Sequence, residues 1–349
     1  MSAAISVTSA PSRDDQGHAP TLASRVAGIA APVGRMLLIA VTVFLLASIL
    51  TFALGALSGA NPAAAVLGET ATPEDIARMQ QQFGLDAPLW QQYLTWLSHA
   101  LQGDLGVSWF TTVPVTDSIK AALPVDLSIA GLALLIAVVA GGAAGIAAAL
   151  SNGGIIDRSV TVVCSVLATM PPFVVGIALI VVFSVKLDLL PSGGYVPISQ
   201  DPVEWLRFAI LPALALSVDA AGALARQLRT SLIGALRENY ATGAEMRGFS
   251  RRRVMFGHVL RNASGPALAV LGYAVPTIIG GAVIAEKLFN LPGIAQLALQ
   301  SAEQGDVPVI LGTLLVTVVV VLIASTVVNL VQTALNPLAR RAPRPTGKA

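Results

Sequence analysis

The residues that could carry bond-making chemistry are few in this chain of 349 residues. Its three histidines, His18, His99 and His258, are separated by long apolar stretches, so their spacing suggests no metal cage. The H-E-x-x-H pattern, which sets two imidazoles on one helical face, is absent, and no serine or cysteine lies in a nucleophile-elbow context. The G-x-x-x-x-G-K-S/T phosphate loop is also missing, because the sole Gly-Lys pair is Gly347 and Lys348 at the end of the chain. Hydrolysis by this chain alone is therefore not expected, and if it belongs to a pump, another subunit supplies the energy. Cys164 is the only cysteine, so it has no intrachain disulfide partner, and within its apolar run it reads as a small buried hydrophobe. Two features remain. One is a carboxyl group inside an apolar stretch, Asp219; the other is a charged, glycine-punctuated block, "ENYATGAEMRGFSRRRVMFGHVLRNA", at residues 238–263.

The elements that position these groups are membrane spans. With 55% hydrophobic residues, 11% charged residues and a mean hydropathy of +0.76, the composition is that of a membrane protein. Crossing hydrocarbon takes about 20 apolar residues in a helix, because lipid cannot satisfy open backbone groups. Six stretches meet that requirement, near 36–58, 127–151, 159–185, 207–226, 263–285 and 307–335, and only the fourth carries a charge between its end residues, Asp219. Residues 1–33 read as a disordered cytoplasmic tail, 34–341 as the membrane domain and 342–349 as a second short tail. The first apolar run is too long for a typical signal peptide, so it is expected to remain uncleaved.

Charge placement orients the spans. With both termini in the cytoplasm, the inner side holds all but five of the 21 basic residues, the exceptions being Arg78, Lys120, Lys186, Arg207 and Lys287. The block then lies within a cytoplasmic loop at 226–262, and the longest external loop is 59–126. In that external loop, Thr72, Pro73 and Asp75 predict an N-capped helix over 73–82. Trp90, Tyr93, Leu94, Leu97 and Leu101 fall along one face of a following helix, which lies on the membrane surface or packs on the protein's own external face.

The cytoplasmic loop carries eight arginines against two glutamates. Its residues predict a short helix ending at Gly248, which tolerates positive φ, and a second helix N-capped by Ser250 that leads into the fifth span. A short helix held off the membrane is a protrusion that another protein can grip; the alternative is a basic loop on lipid headgroups. Within the spans, Pro171, Pro172 and Gly176 interrupt the third, and Pro276, Gly280 and Gly281 interrupt the fifth. They are candidates for a transport path or for ordinary close packing. Asp219 is a structural partner, sits near the cytoplasmic interface, or lines a hydrated path, with proton coupling as a minor alternative.

The block resembles the EAA motif of binding-protein-dependent ABC importer permeases in its peptide-permease variant. Tyr240, Ala244, Gly248, Ser250, His258, Leu260, Arg261, Asn262 and Ala263 match that pattern, Arg247 stands for lysine and Phe249 for leucine, while Gly243, Glu245 and Met246 depart from it. "GLDAPLWQQYLTWLSHALQGDLGVSW", "PPFVVGIALIVVFSVKLDLLPSGGY", "GGAVIAEKLFNLPGIAQL" and "ALNPLARR" are similar to further segments of the oligopeptide, dipeptide and nickel permease B subunits, so the resemblance covers about residues 35–341. It implies an all-α membrane protein of six transmembrane helices with the type I ABC importer permease fold and both termini cytoplasmic. It further implies a second homologous permease, two cytoplasmic ABC ATPase subunits and an external solute-binding protein, together with membrane lipid and no nucleic acid. On this resemblance no cofactor is bound by the chain itself, and ATP and Mg are used by the ATPase subunits. Glu238, Tyr240, Ala244, Glu245, Arg247, Gly248, Ser250, His258, Leu260, Arg261 and Asn262 would couple to an ATPase. Peptides are the implied cargo, with nickel or an oligosaccharide as alternatives. Readings outside the resemblance are a proton-coupled secondary transporter using Asp219 and a membrane scaffold.

Overall fold

The structure, a computed structural model, describes residues 22–57, 61–68 and 70–335. These residues are helical and turn-forming, with one isolated bridge between Val107 and Pro114. Five helical stretches are long and apolar enough to cross a membrane, and a bent pair makes the sixth span. The first span lies in the helix Leu22–Leu57, the second is Val115–Ser151, the fourth Pro202–Leu236, the fifth Leu260–Leu288, and the sixth lies in Val307–Leu335.

Several boundaries differ from those expected, for one physical reason. Hydropathy marks where lipid stops, whereas a helix continues until its backbone hydrogen bonds are interrupted. The second span begins at Val115, not 127, and carries Pro124 inside it; the fourth runs to Leu236, past Arg226 and Arg229. The first helix starts at Leu22, inside the expected tail, while residues 1–21 and 336–349 lie outside the described residues.

The third span is not straight. Ile155–Thr169 and Pro172–Lys186 meet at an angle of 104°. Pro171 and Pro172 have no N–H, so the carbonyls of Leu167 and Ala168 lose their usual donors four residues on. The Met170 N–H serves Leu167 O at 3.2 Å, and the helix ends there.

The fourth span is the hub, with 61% of its most apolar window buried. Its close approach to the second span depends on glycines. A Cβ on Gly141 would fall 2.5 Å from the Ala221 carbonyl oxygen, and one on Gly145 would fall 2.8 Å from that of Ala225. Two glycines four residues apart thus let backbone meet backbone, which is how helices pack where lipid removes any hydrophobic drive.

On the external side, Thr72 caps Pro73–Gln82 as expected, accepting from the Asp75 N–H at 3.2 Å. The next helix, Leu89–Ala100, divides its apolar residues between two settings. Tyr93 bonds Ser48 at 2.8 Å and lies edge-on to Phe52, and Trp96 is tilted against Phe44, so this side packs on the first span. Trp90, Leu94 and Leu101 are exposed. Packing on the protein's own external face therefore holds for one side of this helix.

Candidate functional site

The cytoplasmic connection is shorter than the expected 226–262. It spans 237–250, because helix resumes at Arg251, passes through a π-helical turn at Met255–Val259 and continues as the fifth span. Between the two spans stands a single short helix, Asn239–Met246. Ala241 and Ala244, three apart on one face, are buried in a cluster with Leu228 and Leu232 of the fourth span and Val254, Met255 and Val259 below the fifth.

The opposite face is open. Glu238, Tyr240, Thr242, Met246 and Arg247 are exposed, Met246 at 86%, so a long apolar side chain projects among charges with none of the described residues over it. Gly248 takes φ +83, and the Phe249 N–H returns to Ala244 O at 3.3 Å, closing the helix in a left-handed cap. The Arg253 guanidinium lies 4.9 Å from the centre of the Phe249 ring, and the Arg253 N–H donates to Ser250 Oγ at 3.4 Å. The expected stop and start therefore lie where the structure places them. Leu260 is half-buried, while Arg261 and Asn262 are exposed on the fifth-span helix. The side chains of Glu245 and His258 lie outside the described residues.

A bidentate ion pair that sequence reasoning missed lies toward the cytoplasmic end of the fourth span. Arg229 donates through Nε to Asp157 Oδ1 and through a terminal nitrogen to Oδ2 at 2.7 Å, and the Gly153 N–H also donates to Oδ2 at 2.7 Å. Asp157 is buried, and it clips the turn after the second span to the fourth. Its only local trace is an Asp four residues after Gly153 in "SNGGIID". Asp157→Ala should lower stability by about 1–3 kcal/mol, nearer the low end because Arg229 is partly hydrated, as read by thermal unfolding of the purified protein.

The expected path residues do not form one site. A cavity of about 710 Å³ lies among the first, second, fifth and sixth spans and the external helix Ile294–Gln304, and of those residues only Gly280 lines it. Gly176 packs against Leu288 and Phe289, and Gly281 lies 3.6 Å from Leu216 through a Cβ position, so both serve close packing. Pro171, Pro172, Pro276 and Asp219 are exposed away from the cavity lining. Asp219 does not pair with Arg226, which donates to the Cys164 carbonyl at 3.1 Å.

One end of the cavity is held by two carboxylates that sequence reasoning did not single out. Asp126 Oδ2 accepts the Ile294 N–H at 2.9 Å and Glu286 Oε2 the Gln296 N–H at 2.7 Å, so acids from the second and fifth spans cap one helix N-terminus. Gly293 is required there, since any Cβ would collide with both. Farther out, Ser108 Oγ donates to buried Asp306 Oδ2 at 2.5 Å and the Trp109 N–H to Oδ1 at 3.3 Å, pinning the external loop to the start of the sixth span.

Burial pushes the Asp306 carboxyl above its usual range. A raised acid pKa in the folded state favours the protonated form, so this contribution to stability is full below the unfolded value and is lost as pH rises through the folded one. The difference in melting temperature between the wild type and Asp306→Asn should therefore shift in favour of the variant as pH rises from the ordinary carboxylate range. Parallel curves across that range would contradict this.

Comparisons with known proteins accord with this geometry. A family model described as "Binding-protein-dependent transport system inner membrane component" matches residues 141–341, and its N-terminal counterpart matches 33–130. A "Probable peptide ABC transporter permease protein y4tP" of Sinorhizobium fredii is 33% identical over 306 residues, which is 88% of this chain and 98% of that protein. The "Glutathione transport system permease protein GsiC" of Escherichia coli O6:H1 is 35% identical over 309 residues, again 88% and 98%.

Proposed function

Because the chain belongs to the binding-protein-dependent transport system inner membrane component family, we propose that its exposed cytoplasmic helix, Asn239–Met246, is the handle through which an ATPase moves the spans. The protein is a permease subunit of an ABC peptide importer, a non-catalytic, multi-pass component of the bacterial inner membrane that works with ATPase and solute-binding partners. In the finer reading, a second homologous permease completes the path, two ATPase subunits lie beneath it and one external receptor delivers peptide. ATP and Mg then belong to the ATPase subunits.

The observation that carries this reading is the two-faced helix. Ala241 and Ala244 fix it rigidly to the fourth and fifth spans, while Tyr240, Met246 and Arg247 face outward, matching an apolar, cationic knob to a groove. ATP-driven closure of a groove gripping that knob biases a two-state arrangement of the spans.

Co-purification with the neighbouring subunits should recover ATPase activity, and proteoliposomes of that complex with its receptor should take up trialanine only when ATP is present. Uptake driven by a proton gradient without any ATPase would overturn the reading.

A further inference from the structure

The cavity among the first, second, fifth and sixth spans has two chemically distinct ends. At the outer end, Asp126 Oδ1 and Glu286 Oε2 both lie within 2.5 Å of the point that a Cβ on Gly293 would occupy, so carboxyl groups from two spans meet there. The Ile294 and Gln296 N–H groups take up Oδ2 of the one and Oε2 of the other. Glu286 is 2% exposed, and its Oε1 has no hydrogen-bond partner among the described residues. Nor does any lysine or arginine among them pair with either acid. Buried acceptors in this state are unfavourable until a donor or a positive charge reaches them.

Below the acids the wall is hydrocarbon. The fifth-span lining descends from Glu286 to Val275, a rise of about 16 Å, and the second-span lining from Asp126 to Leu134, about 12 Å. One leaflet of a hydrocarbon core ~30 Å thick is about as deep. The sixth span adds a stripe from Ile310 to Val328, in which the Thr313 and Thr317 hydroxyls donate to the carbonyls of Val309 and Thr313 at 2.9 and 2.8 Å. Apart from the acids, Thr51 is the one other polar residue in the lining. Gly131 and Gly280 also line it, and a Cβ on either would meet nothing within 4 Å. Leu127, Val283 and Val327 are both lining and exposed, so the cavity opens sideways at membrane depth.

This polarity has a direction. A fitting ligand carries a cationic, donor-rich head at the outer surface and an aliphatic body reaching inward. A peptide fits poorly, because its amides and carboxylate would lie unpaired against the aliphatic wall. An outer-leaflet phospholipid has the required polarity in the required direction. Exposed Lys287 also puts a cation at the same helix end as Glu286, as a phosphate beside an ammonium requires.

We propose that this cavity binds one phospholipid with a primary ammonium headgroup, a phosphatidylethanolamine, with its ammonium at Asp126 and Glu286 and an acyl chain along the second, fifth and sixth spans. The lipid is then a structural part of the subunit, filling the gap between these spans and the external helix Ile294–Gln304.

The test exposes the purified full transporter to equal amounts of dioleoyl phosphatidylethanolamine, phosphatidylcholine and phosphatidylglycerol and reads retained lipid by native mass spectrometry. The ethanolamine lipid should be retained severalfold over the other two, since choline lacks N–H donors and glycerol lacks the positive charge. Asp126→Asn keeps an oxygen for the Ile294 N–H but loses the negative charge, and should lower that retention severalfold. Gly280→Leu fills the lumen and should do the same, whereas Gly142→Leu, outside the lining and equally free of neighbours, should not. The first variant probes the head and the second the chain, so poor folding of one leaves the other decisive. Equal retention of the three lipids, or retention untouched in either intact variant, overturns the proposal. Retention that appears only once the second permease is removed also overturns it, since the partner then covers the cavity. Release of the lipid by millimolar trialanine would assign the cavity to cargo and overturn it as well. None of these readouts requires transport, so failure of the import reading is scored separately.

Discussion

Gly141→Leu should remove most folded protein from the membrane, whereas Gly142→Leu, one residue along the same helix, should be nearly neutral. The contrast rests on what each new side chain would meet. At Gly141 a Cβ falls 2.5 Å from the Ala221 carbonyl oxygen, with the Ala221 Cα and carbonyl carbon close behind, and backbone cannot rotate aside as a side chain can. At Gly142 nothing lies within 4 Å. Relief at Gly141 requires the second and fourth spans to separate, which also opens the Gly145 contact with Ala225. Because the fourth span contacts the second, third and fifth, the loss is not local; a cost of about 3–5 kcal/mol or more places the variant below ordinary stability. Yield of monodisperse protein and its melting temperature measure this. Equal behaviour of the two variants would show that the glycines do not set the helix spacing.

The same contact shows what a sequence reveals and what it hides. The six apolar stretches were legible because the bilayer imposes a length and a composition on every span, and the arginine-rich side was legible because charge placement orients the chain. Local hydrogen-bond grammar was legible too, as in Thr72 before Pro73, Ser250 before Arg251 and Gly248 after the short helix. The spacing of Gly141 and Gly145 is visible in the sequence, but the identity of the facing helix is not. Pairs such as Asp157 with Arg229, Ser108 with Asp306 and Asp126 with the Ile294 N–H join residues far apart in the chain, and no local pattern encodes them. The double proline announced a kink in the third span without its size. The expected path residues scattered because Gly176 and Gly281 serve packing, a role that the same residue types fill as readily.

Gly248→Val should uncouple transport while leaving the protein inserted, and Gly248→Asn should keep most of the activity. Side-chain bulk is not the reason, since nothing lies within 4 Å of a Cβ at this position. The reason is the backbone: φ is +83, a conformation that costs an ordinary L-residue about 1–2 kcal/mol, costs a β-branched one more and is tolerated by asparagine. Valine would relieve that strain by leaving the left-handed region, which breaks the Phe249 N–H bond to Ala244 O and redirects the chain entering Ser250. Phe249 would then swing away from Arg253, and the helix Asn239–Met246 would present Tyr240 and Met246 at a new angle to any groove built for them. A lever works only if its tip is held at a fixed angle to the spans, so transport should fall about tenfold in the valine variant while ATP hydrolysis continues without receptor control. Uptake and receptor-stimulated ATPase activity, measured in the same proteoliposomes, decide the matter. If valine and asparagine variants transport alike, the angle set at Gly248 is not what passes force from the ATPase to the membrane.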